Sequence, residues 1–203
     1  MAVHHPATIV PTKLELLQAW VPRQPWLGDA DASTLTRLGS FRFDDPDGEV
    51  GVETHLLGTA DGHVLQVPLT YRGAPLAGAD DALVTTMTHT TLGDRWVYDG
   101  CADPVYRATL TATVLTGGRE ADLYTATPDG LVLEPQPTHV RGGGSPGGPV
   151  PDLRDAESVQ VGTTTRLGPL TVFHLPVDTA AGTTLTGTWP GQSTPLVLAA
   201  LDA

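Results

Sequence analysis

Arg95-Trp96-Val97-Tyr98-Asp99-Gly100-Cys101-Ala102-Asp103-Pro104-Val105-Tyr106-Arg107-Ala108-Thr109-Leu110-Thr111-Ala112-Thr113-Val114-Leu115-Thr116-Gly117-Gly118 is the stretch on which the fold class turns. At its start Trp96 and Tyr98 stand two apart, the period of a strand. Beyond Asp103 two patterns compete. Thr109, Thr111 and Thr113 alternate with Leu110, Ala112 and Val114, a β-branched pattern suited to a strand. Against that, Asp103-Pro104 supplies a helix N-cap followed by proline at the first helical position, and Gly117-Gly118 supplies a stop. Tyr106, Leu110 and Val114 also fall four apart. With both end signals present, a helix is expected between Asp103 and Gly117.

Working outward toward the N-terminus, Leu83 to Thr90 and Arg95 to Tyr98 read as a hairpin around Leu92-Gly93-Asp94. Phe41, Phe43, Val50 and Val52 keep a period of two across the turn-forming Asp44-Asp45-Pro46-Asp47-Gly48. Thr59-Ala60-Asp61-Gly62 reads as a hairpin turn, and His63 to Arg72 as the returning strand, with Pro68 marking an edge or a bulge. A two-residue turn there would set His63 opposite Ala60 and His55 opposite Pro68. At the far N-terminus, Thr12 and Glu15 have capping-box spacing. Leu14, Leu17 and Val21, with Leu16 and Trp20, give that helix an apolar face, and Pro22 ends it. Trp26 follows in an irregular segment, where it is freer to be exposed.

Toward the C-terminus the text is β-type. Leu131 to Glu134 is short and apolar. Gly142-Gly143-Gly144-Ser145-Pro146-Gly147-Gly148-Pro149 reads as a flexible loop or linker. Val159 to Leu167 and Leu170 to Val177 flank Gly168-Pro169 as a hairpin, and Leu185 to Trp189 and Leu196 to Leu201 close the chain. The expected class is α+β, mostly antiparallel.

The 203 residues fit one domain, or one with an appendage. Eleven Lys+Arg stand against 23 Asp+Glu, a formal net charge of −12, and Lys13 is the only lysine. Such a surface repels nucleic acid and anionic membranes, so neither is an expected partner. The single Cys101 allows no internal disulfide or multi-cysteine zinc site and fits a reducing, cytoplasmic setting. No apolar run suits a membrane span, and Met1 to Pro11 lacks the features of a signal peptide.

Catalytic signatures do not emerge. There is no phosphate-cradling G-x-x-x-x-G-K-[ST], no G-x-G-x-x-G and no H-E-x-x-H. Ser145 has glycines around it, but a nucleophile elbow needs a strand before it and a helix after it. His4 and His5 fall in a terminus expected to fray, His55 and His63 do not converge, and His89, His139 and His174 are isolated, so no metal or cofactor is expected. The acidic Asp44, Asp45, Asp47, Asp80, Asp81 and Asp152 read as solvated turn residues. Trp96 and Tyr98, interleaved with Arg95 and Asp99, form either a binding platform or core filling on one strand face. Trp26, Arg72, Trp96 and Tyr98 are the candidate binding residues, and Trp20 is expected in the core.

Several strings resemble one family. Thr12-Lys13-Leu14-Glu15-Leu16-Leu17 followed by Trp20-Val21-Pro22-Arg23-Gln24-Pro25-Trp26, then Val67-Pro68-Leu69-Thr70-Tyr71-Arg72-Gly73, and above all Trp96-Val97-Tyr98-Asp99-Gly100 with Asp103-Pro104, resemble the N-terminal cap of actinobacterial maltokinases. Gly48-Glu49-Val50-Gly51-Val52-Glu53 is similar to small stand-alone relatives carrying only a cap-like domain, some of them labelled 1,4-alpha-glucan branching proteins. The likeness covers roughly residues 3 to 116. It implies a curved antiparallel sheet packed on the N-terminal helix, cystatin- or monellin-like, and supports the helix after Asp103. In the kinases this cap sits on a phosphotransferase-like unit that makes maltose 1-phosphate for α-glucan synthesis.

The departures are informative. Kinase chemistry needs a lysine on the phosphates and catalytic-loop carboxylates, but Lys13 lies in the N-terminal helix and no H-x-D-x-x-x-x-N occurs. A branching enzyme needs a barrel of about 250 residues. The expected organisation is therefore a cap-like domain over 1–117 and a β-rich extension over 118–203 packed on it. The expected role is a non-catalytic interaction or regulatory module in α-glucan, trehalose, glycogen or amino-sugar metabolism, partnered by a sugar kinase or glucan-metabolising enzyme. A small carbohydrate- or metabolite-binding protein is the alternative, and an α-glucan-acting enzyme the third reading.

Overall fold

The computed structural model describes residues 2–4, 7–127 and 130–202. In chain order the elements are β1 (Ala2–His4), β2 (Ile9–Val10), α1 (Lys13–Trp20), β3 (Thr36–Phe43), β4 (Gly51–Gly58), β5 (Val64–Arg72), β6 (Leu83–His89) and β7 (Gly93–Asp99). They continue with α2 (Pro104–Thr116), β8 (Leu123–Thr127), β9 (Gly130–Leu133), β10 (His139–Gly142), β11 (Ser158–Val161), β12 (Thr164–Leu167), β13 (Leu170–Val177), β14 (Thr183–Trp189) and β15 (Gln192–Leu201). One six-stranded sheet runs β2-β6-β7-β5-β4-β3, a second runs β10-β14-β15-β13-β12-β11, and a small one runs β1-β8-β9. All pairings within the two large sheets are antiparallel, and β1 pairs parallel with β8. The class is α+β as expected, a curved antiparallel sheet on an N-terminal helix, with a second helix and a β-rich C-terminal part.

Both helices begin as their caps predict. Thr12 and Glu15 close the capping box of α1, and the Asp103 carboxylate accepts from the Val105 N–H at the start of α2. The threonines that argued for a strand are accommodated within the helix. Thr109, Thr111, Thr113 and Thr116 each donate their hydroxyl to the carbonyl four residues back, at 2.7–2.9 Å. A threonine that satisfies its own hydroxyl in this way loses much of its preference for a strand.

Strands β4 and β5 are buried on both sides, which divides the core into two clusters. Leu57, Leu65, Val67, Leu69 and Val97 face Leu16, Leu17, Val21 and Trp26. On the opposite face Phe41, Phe43, Val52 and Leu56 pack with Tyr106, Leu110 and Val114 of α2 and with Val172, Leu185 and Leu198 of the second large sheet. Leu14, expected on the apolar face of α1, is instead partly exposed. Gln66 crosses between the sheets, its side-chain amide donating to the carbonyls of Phe173 and Leu198 at 3.1 and 2.9 Å.

Four expectations are corrected. The turn after β4 is not two residues long. Gly62 donates to the Thr59 carbonyl and Thr59 to the His63 carbonyl, with Gly62 at φ +88°, the three-residue form whose last position needs a left-handed glycine. The register moves by one, and His55 lies opposite Val67. Second, Pro68 sits on a central strand, but the β7 ladder begins only at Leu69, so no β7 partner is lost at the proline. Third, 159–167 is not one strand: it folds back on itself as β11 and β12 around Gly162.

Fourth, Gly142 to Gly144 is no free linker. Gly142 ends β10, and Gly144 donates to the Val114 carbonyl in the last turn of α2 at 2.9 Å. A Cβ on Gly142 or Gly144 would lie 2.0 or 1.9 Å from the carbonyl oxygens of Thr113 or Leu115. The glycines allow one backbone to approach another closely enough to satisfy helix-end carbonyls. At the N-terminus, His4 ends strand β1, whereas His5 lies outside the described residues.

Candidate functional site

The β5–β7 ladder sets Arg72 opposite Trp96 and Thr70 opposite Tyr98, so three of the four candidate binding residues share one sheet face. Most of their polar groups have internal tasks. Arg72 meets the fully buried Asp103 with two bonds of 2.7 Å, Nε to Oδ2 and a terminal nitrogen to Oδ1. Thr70 donates to the same Oδ2 at 2.7 Å. Tyr98 is buried and its hydroxyl accepts from the Leu76 N–H at 2.9 Å. Trp96, like Arg72, is partly exposed.

Trp26 is elsewhere, and its expected exposure is corrected. It is 2% exposed, packed edge-on to the half-buried Trp20 and stacked on His174 of β13 with ring centroids 4.2 Å apart and planes 9° apart. Two consecutive turns of 3₁₀ helix, Val21–Arg23 and Pro25–Leu27, each with an early proline, fold the segment inward. Its Nε1 is buried without a hydrogen-bond partner among the described residues. His174 also approaches the Gln66 carbonyl through Nδ1 at 3.1 Å and Thr165 through Nε2 at 2.8 Å.

A polar cluster between α1 and the first sheet was not anticipated as a unit. Glu53, almost wholly buried, receives Lys13 Nζ at 2.5 Å and an Arg42 terminal nitrogen at 2.9 Å on the same carboxylate oxygen. His55, two residues along β4, has its Nε2 2.9 Å from the Tyr71 hydroxyl, and Lys13 lies 5.2 Å above the Tyr71 ring. Burial alone would raise the Glu53 carboxyl, but Arg42 and Lys13 outweigh it and hold it well below the usual range. The signal lay in β4 itself, where the ionisable Glu53 and His55 stand inside a strand buried on both faces.

These buried groups make stability depend on pH. Burial pushes the His55 imidazole down to about 4, with Glu53 opposing, and pushes His174 down to about 4, with the Gln66 carbonyl opposing. Burial also pushes the Asp99 carboxyl up to about 6, opposed by the Cys101 N–H. An unfolded histidine takes a proton near pH 6.5 that the folded ones refuse, so their contribution is complete above that pH and is lost on acidification. Asp99 acts in the opposite sense, holding a proton in the folded state below about 6. Two histidines against one aspartate leave a net loss of roughly 2–3 kcal/mol between pH 7 and 5. Urea midpoints at the two pH values check this, and equal midpoints would contradict it.

Two shallow cavities of about 350 and 340 Å³ adjoin at Arg119 and Glu120. Glu120 is itself engaged there, accepting from the Val140 N–H at 2.9 Å and lying 2.9 Å from His139 Nδ1. Among the described residues no group of three or more His, Cys, Asp or Glu could hold a metal ion, and no helix is long and apolar enough to cross a membrane. Strand β9, by contrast, presents Leu131, Val132 and Leu133 consecutively to solvent, each about half exposed, at the edge of the small sheet.

Residues 20–103 match the family model of the maltokinase N-terminal cap domain, from the last residue of α1 to the N-cap of α2. No curated protein matches the chain.

Proposed function

We propose that this chain, whose residues 20–103 form a maltokinase N-terminal cap-like domain, is a non-catalytic module acting by contact with a sugar kinase or a glucan-metabolising enzyme. Its setting is cytoplasmic, and its role is regulatory within α-glucan, trehalose, glycogen or amino-sugar metabolism. Its organisation is a cap-like domain over 1–117 with the β-rich extension 118–203 packed on it. The observation that carries the reading is the match itself, a domain named for its place on a kinase. The open apolar edge of β9 supports it, because a short run of exposed Leu-Val-Leu on an edge strand, paired only with β8 among the described residues, suits docking by another protein.

The test is co-purification of the tagged full chain from a lysate of its own cells, with partners identified by mass spectrometry. A kinase or glucan enzyme recovered in stoichiometric amount is expected, with at least about tenfold less when Leu131 and Leu133 are both replaced by aspartate. A chain recovered alone as a monomer would sink the proposal.

One observation favours a second reading, a small carbohydrate- or metabolite-binding protein. The β5–β7 ladder gathers Arg72, Trp96 and Tyr98 on one face, with Trp96 partly open to solvent. The buried Trp26 would then act only as support. A change in tryptophan emission with millimolar maltose, trehalose or glucosamine, abolished by Trp96→Phe, distinguishes this reading from the first.

A further inference from the structure

The chain is acidic, with a formal net charge of −12, yet cations cluster between α1 and β3. Lys13 and Arg42 both meet the carboxylate of Glu53. Arg37, opposite Leu57 in the β3–β4 ladder, stands near enough to act on Lys13 and His55, so the three cations exceed the one anion by two formal charges. Arg37 reaches the Ser40 hydroxyl oxygen at 2.8 Å. Three arginines elsewhere are each balanced by a single carboxylate: Arg72 by Asp103, Arg119 by Asp122 and Arg154 by Asp152. Lys13 and Arg42 are each about a quarter exposed (28% and 27%), and Arg37 is exposed, while Glu53 lies beneath them. The His55 imidazole is buried in the same cluster, where Lys13, Arg37 and Arg42 all act on it, and its Nδ1 has no hydrogen-bond partner among the described residues.

The geometry points to a site for a doubly charged oxyanion, inorganic phosphate or the phosphate group of a small molecule, on the rim formed by Lys13, Arg37, Ser40 and Arg42. The charge count selects the class. A dianion cancels an excess of two, whereas a carboxylate or chloride leaves half of it. The donor chemistry agrees. Each guanidinium carries five N–H groups and the ammonium three, and Ser40, already an acceptor from Arg37, still has its own proton to donate. Two guanidinium edges, an ammonium and a hydroxyl arriving from β3 and α1 suit an anion with oxygens on all sides. This inference stands apart from the partner reading and does not depend on it.

Calorimetric titration of the full chain with inorganic phosphate, at low ionic strength and a pH where phosphate is dianionic, tests the site. Saturable one-to-one binding in the millimolar range or tighter is expected, with acetate at least about tenfold weaker. Arg37→Gln is expected to weaken phosphate binding about tenfold while leaving the melting temperature unchanged, since Arg37 is exposed and bonded only to Ser40. Ser40→Ala, a second mild change, is expected to weaken it less. Parallel titration with β-glycerol phosphate separates the sources: tighter binding of the ester identifies a small phosphorylated molecule, and equal or weaker binding identifies free phosphate. No saturable heat at about 20 mM phosphate, equal affinity for acetate, or unchanged binding in Arg37→Gln would overturn the inference.

Discussion

Asp103→Ala is expected to cost about 3–5 kcal/mol of unfolding free energy, the range for removing one partner of a buried ion pair. One carboxylate ties β5 to the start of α2. It receives Arg72 through two bonds, it receives the Thr70 hydroxyl, and it caps the first turn of α2 through the Val105 N–H. Alanine leaves Arg72 facing an empty counter-charge position in a largely buried setting, and also removes a cap worth about 1 kcal/mol. For a chain of this length the loss lowers the melting temperature by roughly 10–15 °C. Asp103→Asn separates the contributions, because the amide oxygen can still cap the helix while the charge on Arg72 stays unbalanced. Its loss should be intermediate. Thermal and urea unfolding followed by circular dichroism measure both, and an alanine variant within 1 kcal/mol of the parent would refute the assignment.

Trp26→Ala is the second large effect, again about 3–5 kcal/mol, because it empties a fully enclosed indole site between α1 and β13. Trp26→Phe should cost much less, about 1–2 kcal/mol. Phenylalanine keeps a ring against His174 and removes the Nε1–H, which is buried without an acceptor and so contributes a desolvation penalty rather than a bond. If the indole N–H had a hidden partner, the phenylalanine variant would lose nearly as much as alanine. Urea midpoints distinguish the two outcomes.

Local signals carried much of the architecture. The capping box at Thr12 and Glu15, the Asp103-Pro104 start and Gly117 stop, and the turn residues between β6 and β7 all lie within a few residues of what they specify. What sequence reading missed depends on distance. Trp26 is buried by His174, nearly three-quarters of the chain away, and nothing near Trp26 announces that. Gly142 to Gly144 have the composition of a linker, and only the position of α2 shows that they are small because another backbone lies against them. The one-residue register error came from a turn with three residues where two were assumed.

The candidate site was half legible for the same reason. Alternation placed Trp96 and Tyr98 on one face, but the pairing of Arg72 with Trp96 and of Thr70 with Tyr98 joins β5 to β7 past the intervening β6, and the sequence paired β7 only with β6. That Arg72 would be claimed by Asp103 could not be read from either strand alone. The cluster of Lys13, Arg42, Glu53 and His55 joins three elements, and each residue taken singly looks like an ordinary solvated side chain.

The contact between Gly144 and the end of α2 also bears on synthesis. A ribosome delivers α2 well before the strand that completes it, so for some seconds the Val114 carbonyl has no Gly144 to meet. During the same interval Phe41, Phe43, Val52 and Leu56 lack the Val172, Leu185 and Leu198 that cover them. The nascent first half thus carries a sticky, unfinished flank whose protection arrives late. Expression of this protein should respond to chaperone supply and growth temperature more strongly than its finished stability suggests.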